Sequence, residues 1–94
     1  MTTTAQQPTA TAWPDGVIAR YITVGEAFVD IRHDYTGEAD AVCSGCGETF
    51  HASGYTGLPN PTVEQQDHAA ITEARRWSQR HAAWCRAVPR PDGA

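Results

Sequence analysis

Ala41-Val42-Cys43-Ser44-Gly45-Cys46-Gly47 places two cysteines three positions apart, with glycine between them and glycine after them. Gly45 permits a tight bend, and Gly47 stands where a positive φ is often needed. A turn of this kind offers two sulfurs at a fixed separation and aims backbone N–H groups at them. A second stretch, Gln79-Arg80-His81-Ala82-Ala83-Trp84-Cys85-Arg86, carries the remaining cysteine four positions after a histidine. On a helix that spacing puts both side chains on one face, one turn apart. Taken together, Cys43, Cys46, His81 and Cys85 make a three-thiolate, one-imidazole set. Zinc accepts that set as a closed tetrahedron in structural sites. The set uses every cysteine in the chain. It predicts one structural Zn2+ ion holding a β-ribbon to the end of a helix. The bland reading of an isolated Cys-x-x-Cys is a disulfide or redox pair; His81 and Cys85 at helical spacing turn the balance toward metal.

The fourth position has rivals. His33, His51 and His68 complete the histidine count, and His51, five residues after Cys46, is the strongest competitor to His81.

Upstream of the first stretch the pattern is β. Trp13-Pro14-Asp15-Gly16 reads as a turn, with Pro14 presetting φ, and Trp13 is expected to tuck onto the fold. Val17 to Val24 is rich in β-branched and aromatic residues and predicts a strand. Gly25-Glu26 reads as a two-residue hairpin turn. Glu26 to His33 returns as a second strand in which Ala27, Val29 and Ile31 alternate with Phe28, Asp30 and Arg32. Asp34-Tyr35-Thr36-Gly37 reads as a turn. Residues 38–43 then deliver Cys43 to the knuckle, and residues 48–52 come back as a fourth strand with Phe50 inward. Residues 53–61 hold two glycines and two prolines and read as a loop, a candidate contact surface.

Thr62 starts a helix with a capping box, Thr62-x-x-Gln65. Steps of 100° place Val63, Ala70, Ile71, Ala74, Trp77, His81, Cys85 and Val88 on one arc, the arc facing the sheet. Asp67 and Ser78 also fall on it, against the pattern. Pro89 and Pro91 stop the helix. The expected fold is α+β: a small antiparallel meander of three to four strands packed on one long C-terminal helix, stapled by zinc. Residues 1–12 read as a disordered tail, 13–88 as a single zinc-binding domain, and 89–94 as a loose C-terminal tail.

Ninety-four residues, 40% hydrophobic, bound the chain to one small domain. With both ends loose, about 75 residues are ordered, and such a core supplies only a few kcal/mol. The N-terminal run Met1 to Pro8 has no basic start and no apolar stretch. No segment reads as membrane-spanning. The expected location is cytoplasmic, where thiols stay reduced.

All seven basic residues are arginines. Residues 1–61 hold two of them against seven acids, whereas residues 62–90 hold five against three. The net charge of −4 argues against strong non-specific nucleic-acid binding.

The knuckle followed by a helix bearing His81-x-x-x-Cys85 resembles zinc fingers of the ββα type, and the Cys-x-x-Cys-Gly run resembles the knuckle of zinc ribbons and treble clefs. The sequence departs from both, because 34 residues separate Cys46 from His81. The helix ligands also lie about five turns from its start. The DNA-reading positions of those fingers therefore do not transfer. The combination of Cys-x-x-Cys-Gly, an Ala/Arg-rich helix, His-x-x-x-Cys-Arg and a proline-rich end also looks like small uncharacterised proteins of actinobacterial plasmids and phages. That likeness spans residues 40–90 and brings no established activity.

The leading functional expectation is a regulatory or accessory protein-interaction module whose zinc is structural. The alternative is a nucleic-acid-binding finger using Arg75, Arg76, Arg80 and Arg86, although a charged helix face is usually just solvated. No enzymatic constellation is expected, since four protein ligands leave no open position on the metal. Oxidation of thiolates released from zinc would make a redox switch the nearest enzyme-like option.

Overall fold

Residues 17–52 fold as four short strands, and buried and less buried side chains alternate most regularly on the two central ones. They are β1 (Val17–Ile22), β2 (Phe28–His33), β3 (Ala39–Cys43) and β4 (Thr49–Ala52). The sheet order is β1-β2-β3-β4, every neighbour antiparallel. One helix, α1 (Val63–Trp84), packs across it. This computed structural model describes residues 13–33 and 36–89. The tails expected at 1–12 and beyond Pro89, and turn residues Asp34 and Tyr35, lie outside the described residues. The architecture is the α+β meander on a single C-terminal helix that the sequence predicts.

The layer between sheet and helix is thin. Among the described residues, eight of the thirteen buried apolar ones are alanines, and the bulkiest fully buried side chains are Ile31, Val29, Cys43 and Ser78. Alanines on both sides (Ala39, Ala41 and Ala52 against Ala70, Ala74 and Ala82) let the helix backbone come close to the sheet. They also contribute little apolar area each, so burial stabilises this fold weakly.

The helix starts as predicted. Thr62 Oγ1 accepts from Gln65 N–H at 3.1 Å, and the Gln65 amide oxygen accepts from Thr62 N–H at 2.8 Å. Asp67, which interrupts the apolar arc, is tied to the sheet side. Its Oδ1 accepts from Gly37 N–H at 2.6 Å and stands 2.9 Å from His33 Nε2.

Several expectations need correction. Helix α1 ends at Trp84, not near Val88, and Cys85 is its C-cap in an extended conformation (ψ 119°). Val24 N–H donates to Ala82 O at 3.1 Å and Gly25 N–H to Cys85 O at 3.0 Å. The β1–β2 loop thus satisfies carbonyls that a helix end leaves orphaned. Beyond Cys85 the chain runs past Gly25 and Gly45. Val63 and Val88, expected on the packed stripe, are exposed, because the helix overhangs the sheet at one end and has ended at the other. Trp13 also remains about half exposed, at 47%.

The β1–β2 connection is wider than a two-residue turn, with Ile22 paired to Phe28. Thr23 organises it: its Oγ1 accepts from Ala27 N–H, its carbonyl accepts from Glu26 N–H, and its own N–H donates to Ala27 O. Glu26 takes the positive φ of 66°, and Gly25 does not.

Ser78 is fully buried, and its hydroxyl has no hydrogen-bond partner. Replacing a lone buried hydroxyl by a methyl group removes a desolvation penalty. Ser78→Ala is expected to raise stability by about 1 kcal/mol, read as a higher denaturant midpoint at unchanged slope.

Candidate metal centre

Each half of the site is built locally. In the knuckle, Gly47 N–H donates to Cys43 O at 3.0 Å and Cys43 N–H to Glu48 O at 2.9 Å, which closes the turn between β3 and β4. Gly47 takes φ 82°, as its position in the motif requires. Cys43 sits on the inner face of β3, with Ala39 and Ala41. On the helix side His81 occupies the last turn, and Cys85 N–H still donates to His81 O at 2.9 Å. The helical spacing of the pair therefore survives the early end of the helix.

The two halves meet. One ligand atom from each of Cys43, Cys46, His81 and Cys85 falls within 4.8 Å of the other three, close enough for one metal ion. Cys43 Sγ lies 3.9 Å from Cys85 Sγ, and Cys46 Sγ lies 3.3 Å from His81 Nε2. Cys43, His81 and Cys85 are buried, and Cys46 forms the exposed corner. Of the four histidines, His81 is the one that lies among the three cysteines. His51, its rival, alternates on β4 with Phe50 and Ala52 and points the other way. Its Nδ1 is 2.6 Å from Asp40 Oδ1 and its Nε2 is 3.5 Å from Glu38 Oε1. Hydrogen bonding to Asp40, helped by the charges of Asp40 and Glu38, raises its pKa above the ordinary histidine value. His33 is engaged by Asp67, and His68 is exposed on the first half of the helix.

The sulfurs differ in their surroundings. Burial pushes the Cys43 thiol up, but N–H groups of Cys46 and Gly45 and the side chains of Cys46 and Cys85 outweigh it, and its pKa falls below the ordinary thiol value. The Cys46 pKa is raised by burial and by the neighbouring Cys43 and Cys85 sulfurs, against the pull of Glu48 N–H, 3.4 Å away. Closely spaced sulfurs compete for protons, and a shared cation is what allows all of them to be thiolates.

Around His81 the rings form a continuous series. Phe50 stacks on Trp77 at 5.5 Å, Trp77 stacks on His81 at 4.7 Å, and Trp84 meets His81 edge-on at 5.0 Å. The spacing of Trp77 and Trp84 around His81 carried this signal, but the contribution of Phe50 depends on strand register.

No family model, curated protein or solved structure matches the chain.

Glu48, next to the knuckle in sequence, stands beside both halves of the site. Its backbone N–H donates to Cys46 Sγ, and its carboxylate stands 3.6 Å from His81 Nδ1, the ring nitrogen away from the sulfurs. A carboxylate behind a ligating imidazole fixes its tautomer and orientation, and loss of such a partner typically weakens metal binding 10–100-fold. Glu48→Gln is expected to weaken metal affinity by roughly tenfold in a competition titration with a chromophoric chelator, leaving far-UV circular dichroism at saturating metal unchanged.

The four arginines predicted as a nucleic-acid face are all exposed, and Arg80 alone among them lines the groove beside His81. Among the described residues, no helix is long and apolar enough to cross a membrane.

Proposed function

We propose that this chain is a small binding module, not an enzyme, that folds around one structural Zn2+ ion and serves as a regulatory or accessory protein-interaction domain. The observation that carries the reading is the spacing of the donors. Thiolates about 2.3 Å from one zinc ion stand roughly 3.8 Å apart at the tetrahedral angle, and a thiolate and an imidazole nitrogen roughly 3.6 Å apart. The 3.9 Å and 3.3 Å separations found here fit those edges. Three thiolates with one imidazole are a donor set that zinc favours, and four protein donors leave no position for a reacting water.

The surface suited to a protein partner lies at the other end of α1. The loop at residues 53–61 and the first helical turns border an open groove of about 560 Å³, with Tyr55 83% exposed and Leu58 51% exposed. Exposed aromatic and aliphatic side chains around a concavity are the usual anchors of a protein interface.

Two measurements test the reading. Native mass spectrometry is expected to find one zinc per chain. A photo-crosslinking residue at Leu58 is expected to form a discrete adduct with a cell protein, whereas the same residue at Glu73 forms none. A zinc-free folded chain refutes the metal assignment. Identical adduct patterns at both positions refute the proposed surface.

A further inference from the structure

A second surface lies beside the metal, toward the far end of α1 from the loop groove. Glu48, Trp77, Arg80, His81, Ala83 and Trp84 line a groove of about 250 Å³. Its floor is the ring series built on His81, and its outer wall is Trp84, which leaves 64% of its surface in solvent. Trp84 covers His81 with one edge and leaves most of its indole to solvent. Arg80 lies one helical turn before Trp84, and Arg76 one turn before Arg80, both exposed. The single acid in the groove, Glu48, faces His81 Nδ1. An exposed indole with guanidinium groups one and two helical turns before it has the chemistry of a stacking platform for an anionic aromatic ligand.

We infer that this groove binds single-stranded nucleic acid, with a base stacking on the exposed indole of Trp84 and phosphates held by Arg80 and Arg76. Single strands are favoured over duplex because bases in a duplex are already stacked and hide their faces. The acidic remainder of the chain does not forbid this, because residues 62–90 carry five arginines against three acids. Because His81 is both a metal-site residue and a member of the ring series, metal binding holds the platform in place. The inference concerns a different surface from the protein-binding groove, and either can fail without the other.

The test uses the zinc-loaded 94-residue chain and fluorescein-labelled dT15. Binding is expected to quench tryptophan fluorescence, to exceed that of a 15-base-pair duplex, and to weaken with salt. Trp84→Ala is expected to weaken binding about tenfold, and Trp84→Phe to keep most of it. Arg80→Gln is expected to lower the slope of log affinity against log salt by about 0.7. Zinc stoichiometry and circular dichroism confirm that each variant is folded; if Trp84→Ala is not, Trp84→Phe and Arg80→Gln decide. Equal affinity for duplex and single strand overturns the inference, as does binding unchanged by Trp84→Ala and Arg80→Gln. So does equal affinity for a poly-glutamate peptide, which would make the groove a general anion site.

Discussion

Removing zinc from the purified protein with a strong chelator is expected to unfold it. Helical circular dichroism should collapse, with cooperative recovery when zinc is restored. The reason is the thinness of the interior. Among the described residues the buried apolar side chains are mostly alanines, and the others are Val17, Val29, Ile31, Cys43 and Cys85. A core of this size stabilises a chain by only a few kcal/mol, against the roughly 10–16 kcal/mol that structural zinc contributes in small peptides. The site also joins elements far apart in sequence, the β3–β4 knuckle and the end of α1. Cys43→Ser and Cys85→Ser should mimic the chelator, because each removes a buried thiolate and leaves a poorer donor. Lower pH should act in the same direction: the ligands bind metal only when deprotonated, so affinity falls as protons compete. Persistence of a full helical signal in metal-free protein would show that the alanine-rich layer suffices on its own.

The second large effect is expected at Gly25, a residue outside the metal-binding set. A Cβ added there would run into backbone atoms of Arg86 and Ala87, which cannot swing aside as a side chain can. Gly25 also donates its N–H to Cys85 O. Gly25→Ala should therefore push the segment after the helix outward and displace Cys85. The expected cost is about 1–3 kcal/mol of stability, with metal affinity falling in parallel. Gly45 faces the same segment from the knuckle side, where an added Cβ would stand 2.6 Å from Ala87 O. Gly16→Ala is the control. Gly16 has a positive φ of 83° but open space around it, so alanine there strains the backbone locally. It should cost about 1–2 kcal/mol and leave metal affinity at saturation unchanged. If Gly25→Ala binds metal as tightly as Gly16→Ala, the close passage at Gly25 does not position Cys85.

The inner strands were legible because their inward positions alternate strictly: Val29 and Ile31 on β2, with Ala27 just before it, and Ala39, Ala41 and Cys43 on β3. The approach of His81 and Cys85 to the knuckle was legible because four-residue spacing survives even where the last residue is only a cap. Choosing between His81 and His51 was not a matter of spacing. It depended on which face of β4 carries His51, and the helix lies on the other. The end of α1 was hidden for a similar reason. Pro89 alone would allow the helix to run closer to Val88; it ends at Trp84, where Val24 and Gly25, some 60 residues earlier, hydrogen-bond the Ala82 and Cys85 carbonyls. Gly25 was read as a turn former when its role is clearance, and the positive φ fell to Glu26 instead. Asp67 looked like an error in the helix face because its partners, His33 and Gly37, come from the far side of a turn.

X-ray absorption at the zinc edge reads the coordination shell directly. The expected spectrum fits three sulfurs at about 2.3 Å and one nitrogen at about 2.0–2.1 Å, with the nitrogen contribution lost in His81→Ala and kept in His51→Ala. A shell of two sulfurs with two nitrogen or oxygen donors, or a nitrogen that disappears with His51, would contradict the joining of knuckle and helix through one ion.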